Sequence, residues 1–131
     1  GATRVVAAGD TDALAGLAGR FDAVVEASNS PDGPATAVGL LRRGGSALLL
    51  GISGAGRPVI DPDTVTLGQL RLQGGFAASR NAWRWVVGLY ADGILDPAPL
   101  VTHHFPLAGV DGAFAALTDA DGAAVKILVH P

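Results

Sequence analysis

The sequence predicts an α/β fold, a partial parallel sheet with flanking helices, followed by a C-terminal strand-helix-strand appendage. Three observations predict it. First, residues 21–52 read FDAVVEASNSPDGPATAVGLLRRGGSALLLGI, an apolar run, a polar turn, an amphipathic stretch and a second apolar run. That is strand, helix, strand in about thirty residues, the size of one βαβ unit. Second, the apolar runs are continuous rather than alternating, as in strands buried on both faces of a parallel sheet. Third, after residue 95 the chain changes character, with Asp96-Pro97-Ala98-Pro99 followed by two strand-like runs around one helical pattern.

Taken in order, residues 4–8 (RVVAA) read as a short strand, and Asp10 or Thr11 can cap a helix over residues 12–19. The central strand covers residues 22–28. Pro34 suits the first turn of the next helix, where its missing N–H would be unpaired anyway. Val38 and Leu41 face the sheet, Ala35 and Ala37 pack nearby, and Gly44 is the glycine that stops the helix. Residues 47–50 form the next strand. A Gly- and Pro-rich loop spans residues 53–62, and residues 64–67 read as a helical turn or a short strand. Residues 70–76 (LRLQGGF) alternate and read as a strand. Ser79 caps a helix over residues 80–92, in which Trp83, Val86, Val87 and Tyr90 lie at i, i+3, i+4 and i+7. This stripe makes Trp83 a core residue, and Trp85, two positions away, falls on another face. Gly93 ends the helix. Residues 100–105 (LVTHHF) form a strand. Residues 110–117 form a helix with Val110, Phe114 and Leu117 on one face. Ala120-Asp121-Gly122 is a turn, and residues 125–129 (VKILV) are the last strand.

Composition excludes several classes. The 131 residues form one domain or a piece of one. Net charge is −3, and the nine basic residues are scattered apart from Arg42-Arg43, which argues against a nucleic-acid surface. No run is long and charge-free enough to span a membrane. The first residues carry no apolar signal segment. The absence of cysteine leaves no disulfide framework and no thiolate metal site. It permits a cytoplasmic origin without proving it, and a cytoplasmic protein is the expectation. The chain also lacks methionine and opens directly on a strand-like segment. A processed terminus would account for this, and so would a fragment of a longer protein; the fragment is the expectation.

Five pieces occur in a recognisable order: FDAVVEAS, LLRRGGSALLLGIS, LRLQGGF, LDPAPLVTHHFPLAGVDGAFAAL and AVKILV. Their wording and spacing resemble the medium-chain dehydrogenase/reductase family, specifically the zinc-type alcohol and polyol dehydrogenases. The resemblance implies that residues 1–93 are the C-terminal portion of an NAD(P)-binding Rossmann domain. It implies that residues 94–131 are a segment that packs on a catalytic domain. The strands would be numbers 3 to 6 of a sheet ordered 3-2-1-4-5-6. The family's zinc ligands, its Gly-rich pyrophosphate turn and its ribose-binding acidic residue have no counterpart in this chain. Gly51-Ile52-Ser53-Gly54-Ala55-Gly56 is not that turn, because a Pro-rich loop rather than a helix follows it. Without strands 1 and 2 the sheet has an open edge, which invites pairing. The expectation is that residues 4–8 shift beside the 22–28 strand or that copies associate through that edge. The 70–76 strand corresponds to one that pairs across the two-fold axis of family dimers.

The same resemblance assigns candidate sites. Ala27, Ser28 and Asn29, past the end of the central strand, would line the adenosine-ribose side of the cofactor; a plain turn is the competing reading. Asn29 stands where the family often has Gly, and Asn tolerates left-handed geometry. Leu50, Gly51 and Ile52 would contact the nicotinamide carboxamide through backbone, with Ile52 packing on the ring. Arg71 and Gln73 would bring a second backbone contact. Lys126 falls where the family places a cation that reaches the cofactor phosphates, and a solvated strand lysine is the alternative. His103 and His104 are neighbours on a strand and point to opposite faces, so they cannot share a metal. These histidines and His130 read as structural, Glu26 as a buried structural carboxylate, and Asp61-Pro62-Asp63 as a capped turn.

The function implied is hydride transfer between a small-molecule alcohol or polyol and NAD or NADP. Zinc would polarise the alcohol oxygen in the intact enzyme only. The chain alone is expected to be inactive. Two alternatives stand beside this reading: a non-catalytic remnant or dimerisation module, and a zinc-independent quinone or enoyl reductase of the same superfamily.

Overall fold

The structure, a computed structural model, describes residues 2–54, 56–119, 122 and 124–131. It divides into two units, Gly1–Ala77 and Ala78–Pro131.

The first unit runs α1 (Thr11–Ala15), β1 (Phe21–Glu26), α2 (Gly33–Leu40), β2 (Leu41–Leu49), α3 (Pro62–Gly68) and β3 (Arg71–Gly74). Its three strands are parallel, in the order β1-β2-β3. Helix α2 makes the crossover from β1 to β2. Pro34, Ala37 and Val38, at i, i+3 and i+4, are its buried residues. They join Leu41 and Ala47 of β2 in the core, which holds α2 to the sheet by burial of apolar surface. Ala35 is exposed, contrary to the expectation that it packs beside Ala37, because the helical period turns it outward.

Several element boundaries differ from the sequence expectation. Residues 4–8 are irregular rather than a strand. Val5 is 87% exposed, and among the described residues no ladder partner is present to satisfy an extended backbone there. Helix α2 ends at Leu40, where Leu41 turns extended, so Gly44 is not its stop. Gly44 instead serves an irregularity in the β1/β2 ladder. The pairing steps from Phe21↔Leu41 to Ala23↔Ser46, so the intervening residues of β2 loop out. Gly44 adopts φ +75° there, and a Cβ on Gly45 would stand 2.8 Å from the Arg42 carbonyl oxygen. Both glycines are required by that excursion. Residues 64–67 belong to helix α3. Asp61 caps it, accepting from the Asp63 and Thr64 N–H groups at 3.0 and 3.2 Å and from the Thr64 hydroxyl at 2.6 Å. Burial on both faces holds for β2 only in part. In β1, Val25 remains 63% exposed.

The second unit contains α4 (Arg80–Ala91), β4 (Val101–Pro106), α5 (Val110–Thr118) and β5 (Lys126–His130). Strands β4 and β5 are parallel partners connected through α5, which is the strand-helix-strand appendage. Ala113 of α5 is buried, and Val110, Phe114 and Leu117 share a small hollow with Ile127 and Val129 of β5. Ser79 caps α4 by accepting from the Ala82 N–H at 3.2 Å, and Gly93 at φ +68° follows its end. Trp83 is 64% exposed rather than core. Its stripe is amphipathic, but no described element of its own unit packs extensively on α4. Trp85 is exposed as well. Of the expected turn at residues 120–122, Ala120 and Asp121 lie outside the described residues. No helix among the described residues is long and apolar enough to cross a membrane.

Candidate functional site

In a parallel sheet the crevice for ligands lies beyond the carboxyl ends of the strands. Here β1 ends at Glu26 and β2 at Leu49, which are paired in register. The two turns that follow are tied together. The Glu26 main-chain carbonyl accepts from the Leu50 and Gly51 N–H groups at 2.8 and 3.1 Å. Its side chain, buried at the strand end, accepts from the Ser28 N–H at 2.7 Å and the Ser28 hydroxyl at 2.6 Å. Asn29 adopts φ +59°, and its Oδ1 accepts from the Ile52 N–H at 2.9 Å. That left-handed turn is within reach of asparagine, and it aims the side chain across to the second turn.

Hydrogen bonds from the Ser28 hydroxyl and N–H hold the Glu26 carboxyl below the usual carboxylate range, against the opposing effect of burial. Glu26 is therefore ionised at neutral pH, with Ser28 donating to its carboxylate. It also shapes the backbone around it. A Cβ on Gly51 would stand 2.5 Å from Oε2 and one on Gly33 2.5 Å from Oε1, so both positions admit only glycine without a shift of the carboxylate. A groove of about 380 Å³ opens beside the site, lined by Val24, Val25, Glu26, Ser28 and Asp32 among others.

Of the residues singled out from sequence, Ala27, Ser28 and Asn29 are brought together with Leu50, Gly51 and Ile52. Leu50 and Ile52 expose apolar side chains beside this turn. Gln73 pairs with Leu48, one step before the end of the β2/β3 ladder. Arg71 pairs with Ser46 at the opposite end of β3 and donates to the Gly44 carbonyl at 3.3 Å. At about 3.3 Å per residue it stands about 10 Å back from Gly74. Lys126 begins β5 in the second unit, exposed, with its main-chain carbonyl accepting from the Thr102 hydroxyl at 3.3 Å. The role of Glu26 in joining two turns was not apparent from the sequence. The available signal was a carboxylate ending an apolar strand just before Ser28-Asn29-Ser30.

The histidines do not fit a zinc ion. His104 Nδ1 lies 2.7 Å from His130 Nε2, so these nitrogens face each other rather than a common third point. His103 Nδ1 instead meets the Thr102 hydroxyl at 2.9 Å. No cluster of three or more His, Cys, Asp or Glu side chains suited to a metal exists among the described residues.

A parallel sheet with joined turns at its carboxyl edge is an α/β architecture whose ligand crevice lies beyond the strand ends. A family model described as zinc-binding dehydrogenase matches residues 1–92, and the chain belongs to that family. It is the family whose motifs the sequence carries. Among solved structures, the chain is similar to L-idonate 5-dehydrogenase from Escherichia coli K-12 MG1655, at 25% identity over 92% of this chain, with a TM-score of 0.78. It shares the fold of a short chain alcohol dehydrogenase from Escherichia coli CFT073 complexed with NADH, at 20% identity over 94% of the chain and a TM-score of 0.79. It also shares the fold of a Sinorhizobium meliloti 1021 protein assigned to the zinc-binding dehydrogenases and bound to NADP, at 22% identity over 92% and a TM-score of 0.79. The chain spans 34%, 35% and 36% of the lengths of these three proteins.

Proposed function

We propose that this chain forms the nicotinamide-facing part of an NAD(P) site in a dehydrogenase that moves hydride between a small-molecule alcohol and the cofactor. The observation that carries this reading is the joining of residues 27–29 to residues 50–52 at the carboxyl edge of a parallel sheet. The relatives complexed with NADH and with NADP support it. In this reading Ser28 and Asn29 meet the ribose side through main chain. Leu50 and Gly51 offer main chain to the carboxamide, and the exposed Ile52 side chain covers one face of the ring. In β3 the contact falls to Gln73 rather than Arg71, and Lys126 meets phosphate. Residues 1–93 act as the nucleotide-binding portion and residues 94–131 as the segment that packs on a catalytic domain. Zinc, when bound, supplies a Lewis acid for the alcohol oxygen; its ligands lie outside this chain, and the chain alone turns over no alcohol. Copies pair through β3, which has one neighbour in its sheet.

Calorimetric titration of the 131-residue chain with NADH and NADPH tests this. Saturable binding weaker than micromolar, with no alcohol-dependent NADH production, is expected. Absence of any binding would remove the nucleotide reading. Alcohol-dependent NADH production would overturn the assignment of the reaction to residues beyond this chain. Sedimentation tests the pairing: a dimer that a Leu72→Arg change disperses is expected, and a monomeric wild type would exclude it.

A further inference from the structure

The two strands of the second unit are tied by side chains as well as by their ladder. At the start of β5, the Thr102 hydroxyl accepts from the Val125 N–H at 3.0 Å and donates to the Lys126 carbonyl at 3.3 Å. At the other end the ladder pairs Pro106 with His130, and proline has no N–H to give it. There the tie is a pair of imidazoles. His104 pairs with Leu128, two positions before His130, so His104 and His130 are diagonal neighbours on one face. Nδ1 of His104 lies 2.7 Å from Nε2 of His130, with ring centroids 5.0 Å apart and ring planes 14° apart. Rings laid face on face could not bring two atoms to hydrogen-bond distance. These meet edge to edge, nearly in one plane, with the two nitrogens between the centroids. That is the geometry of an N–H···N bond, and it has room for one proton.

We propose that the His104–His130 pair is a proton-dependent clasp on the β4/β5 sheet: it closes with neither ring charged, is tightest with one ring charged, and opens when both are. The basis is donor and acceptor matching. A neutral imidazole has one donor and one acceptor nitrogen, whereas an imidazolium has two donors. Two neutral rings therefore share the bond as donor and acceptor. One added proton keeps that match and makes the bond charge-assisted, the stronger kind. A second sets donor against donor and like charge against like charge, so it enters only as the rings part. Both rings are exposed and reach protons from solvent. Neither strand carries an acidic residue that would balance the second charge. The other charged group on this face is Lys126, a cation about 13 Å back along β5 from His130. His103 points to the opposite face, where its Nδ1 meets the Thr102 hydroxyl at 2.9 Å. Helix α5 packs on that opposite face, against Phe105, Ile127 and Val129; it carries Asp111 and leads to Asp119. The turn of residues 107–109 has no ionisable side chain. The clasp is independent of the nucleotide reading.

The test uses the full 131-residue chain, labelled with nitrogen-15 and titrated from about pH 8 to about pH 4, across the histidine range and beyond it on the acid side. Side-chain nitrogen shifts follow the three rings. His104 and His130 are expected to titrate together in two steps that belong to the pair, and His103 in one step of its own. Hydrogen-exchange protection of the Val129 and His130 amides, corrected for the intrinsic rate at each pH, is expected to peak between the two steps. Past the second step it should fall about fivefold, the effect of losing one hydrogen bond. His104→Gln keeps a donor and an acceptor but takes up no proton. It is expected to leave His130 with a single step and to remove the protection peak, while His103→Gln leaves both in place. Independent single steps at His104 and His130, or strand-end protection without a peak, would overturn the proposal. If His104→Gln does not fold, the wild-type titration decides alone, because the paired steps and the peak need no variant.

Discussion

The Glu26 carboxylate and the Gly51 backbone are in such close register that a Cβ on Gly51 would lie 2.5 Å from Oε2 and 2.9 Å from the Asn29 nitrogen. The Asn29 nitrogen is backbone, and the carboxylate is held at Oε1 by Ser28, so neither yields cheaply. Gly51→Ala is expected to destabilise the chain by about 1–3 kcal/mol, the range for overpacking. Gly74, where an added Cβ would meet nothing within 4 Å, is the control. Gly74→Ala should stay within about 0.5 kcal/mol of wild type in urea unfolding.

Asn29 combines a left-handed backbone with a bond across the two turns. Asn29→Ala loses both the hydrogen bond and the tolerance for φ +59°, while Asn29→Gly loses the bond alone. The expected order is wild type, Gly, Ala, with Ala lower by about 1–3 kcal/mol. Faster hydrogen exchange at the Ile52 amide should accompany both changes. An unchanged Ile52 amide would show that the Asn29 bond does not order the second turn.

Acid sensitivity follows from two carboxylates held below the usual range, Glu26 and Asp61. At Asp61 the bond from the Thr64 hydroxyl is the leading cause. A group whose folded-state pKa is depressed binds its proton more readily in the unfolded chain. Its contribution is present at pH values above the unfolded pKa and is lost as pH falls through the folded one. Unfolding free energy should therefore be flat on the neutral side of the carboxylate range and decline below it. Asp61→Asn keeps a capping oxygen on α3 and removes the charge. It should leave neutral-pH stability nearly unchanged and make the acid decline shallower.

Arg42 and Asp22 form an ion pair at 2.6 Å, with side chains 53% and 79% exposed. Short as it is, the pair is screened by water, and exposed pairs contribute about 0–1 kcal/mol. Asp22→Asn should cost no more than that, and the difference should vanish in high salt. A larger loss would mean that the pair holds the β2 excursion at residues 42–45 in place.

Ser79 caps α4, whose apolar stripe has no extensive partner among the described elements of its own unit. With little packing to hold it, this helix leans on its local signals. Ser79→Ala should cost about 1 kcal/mol and reduce helicity measured by circular dichroism. Unchanged helicity would point to packing on α4 that outweighs its cap.

What was legible from sequence was local or periodic. The Pro34 entry, the Ser79 cap and the capped turn at Asp61 depend on residues within a few positions of one another, and each stands where expected; the strand-helix-strand order also holds, although β2 begins at Leu41 rather than at residue 47. Arg4 to Ala8 and Trp83 depend on partners instead. A β-prone segment becomes a strand only if a ladder accepts its backbone, and an amphipathic stripe becomes core only if a surface covers it. The motif order likewise pointed to the zinc-binding dehydrogenase family, because it records the succession of elements.

The site divides in the same way. By itself, the sequence determined that turns of small polar and glycine residues follow two apolar strands, since hydropathy and turn chemistry are written residue by residue. Only the tertiary structure decided that Ser28, Asn29, Gly51 and Ile52 form one edge, that Glu26 joins them, and that Arg71 stands at the far end of β3. Parallel register decides these relations, and register is set by pairing between strands rather than by either strand alone.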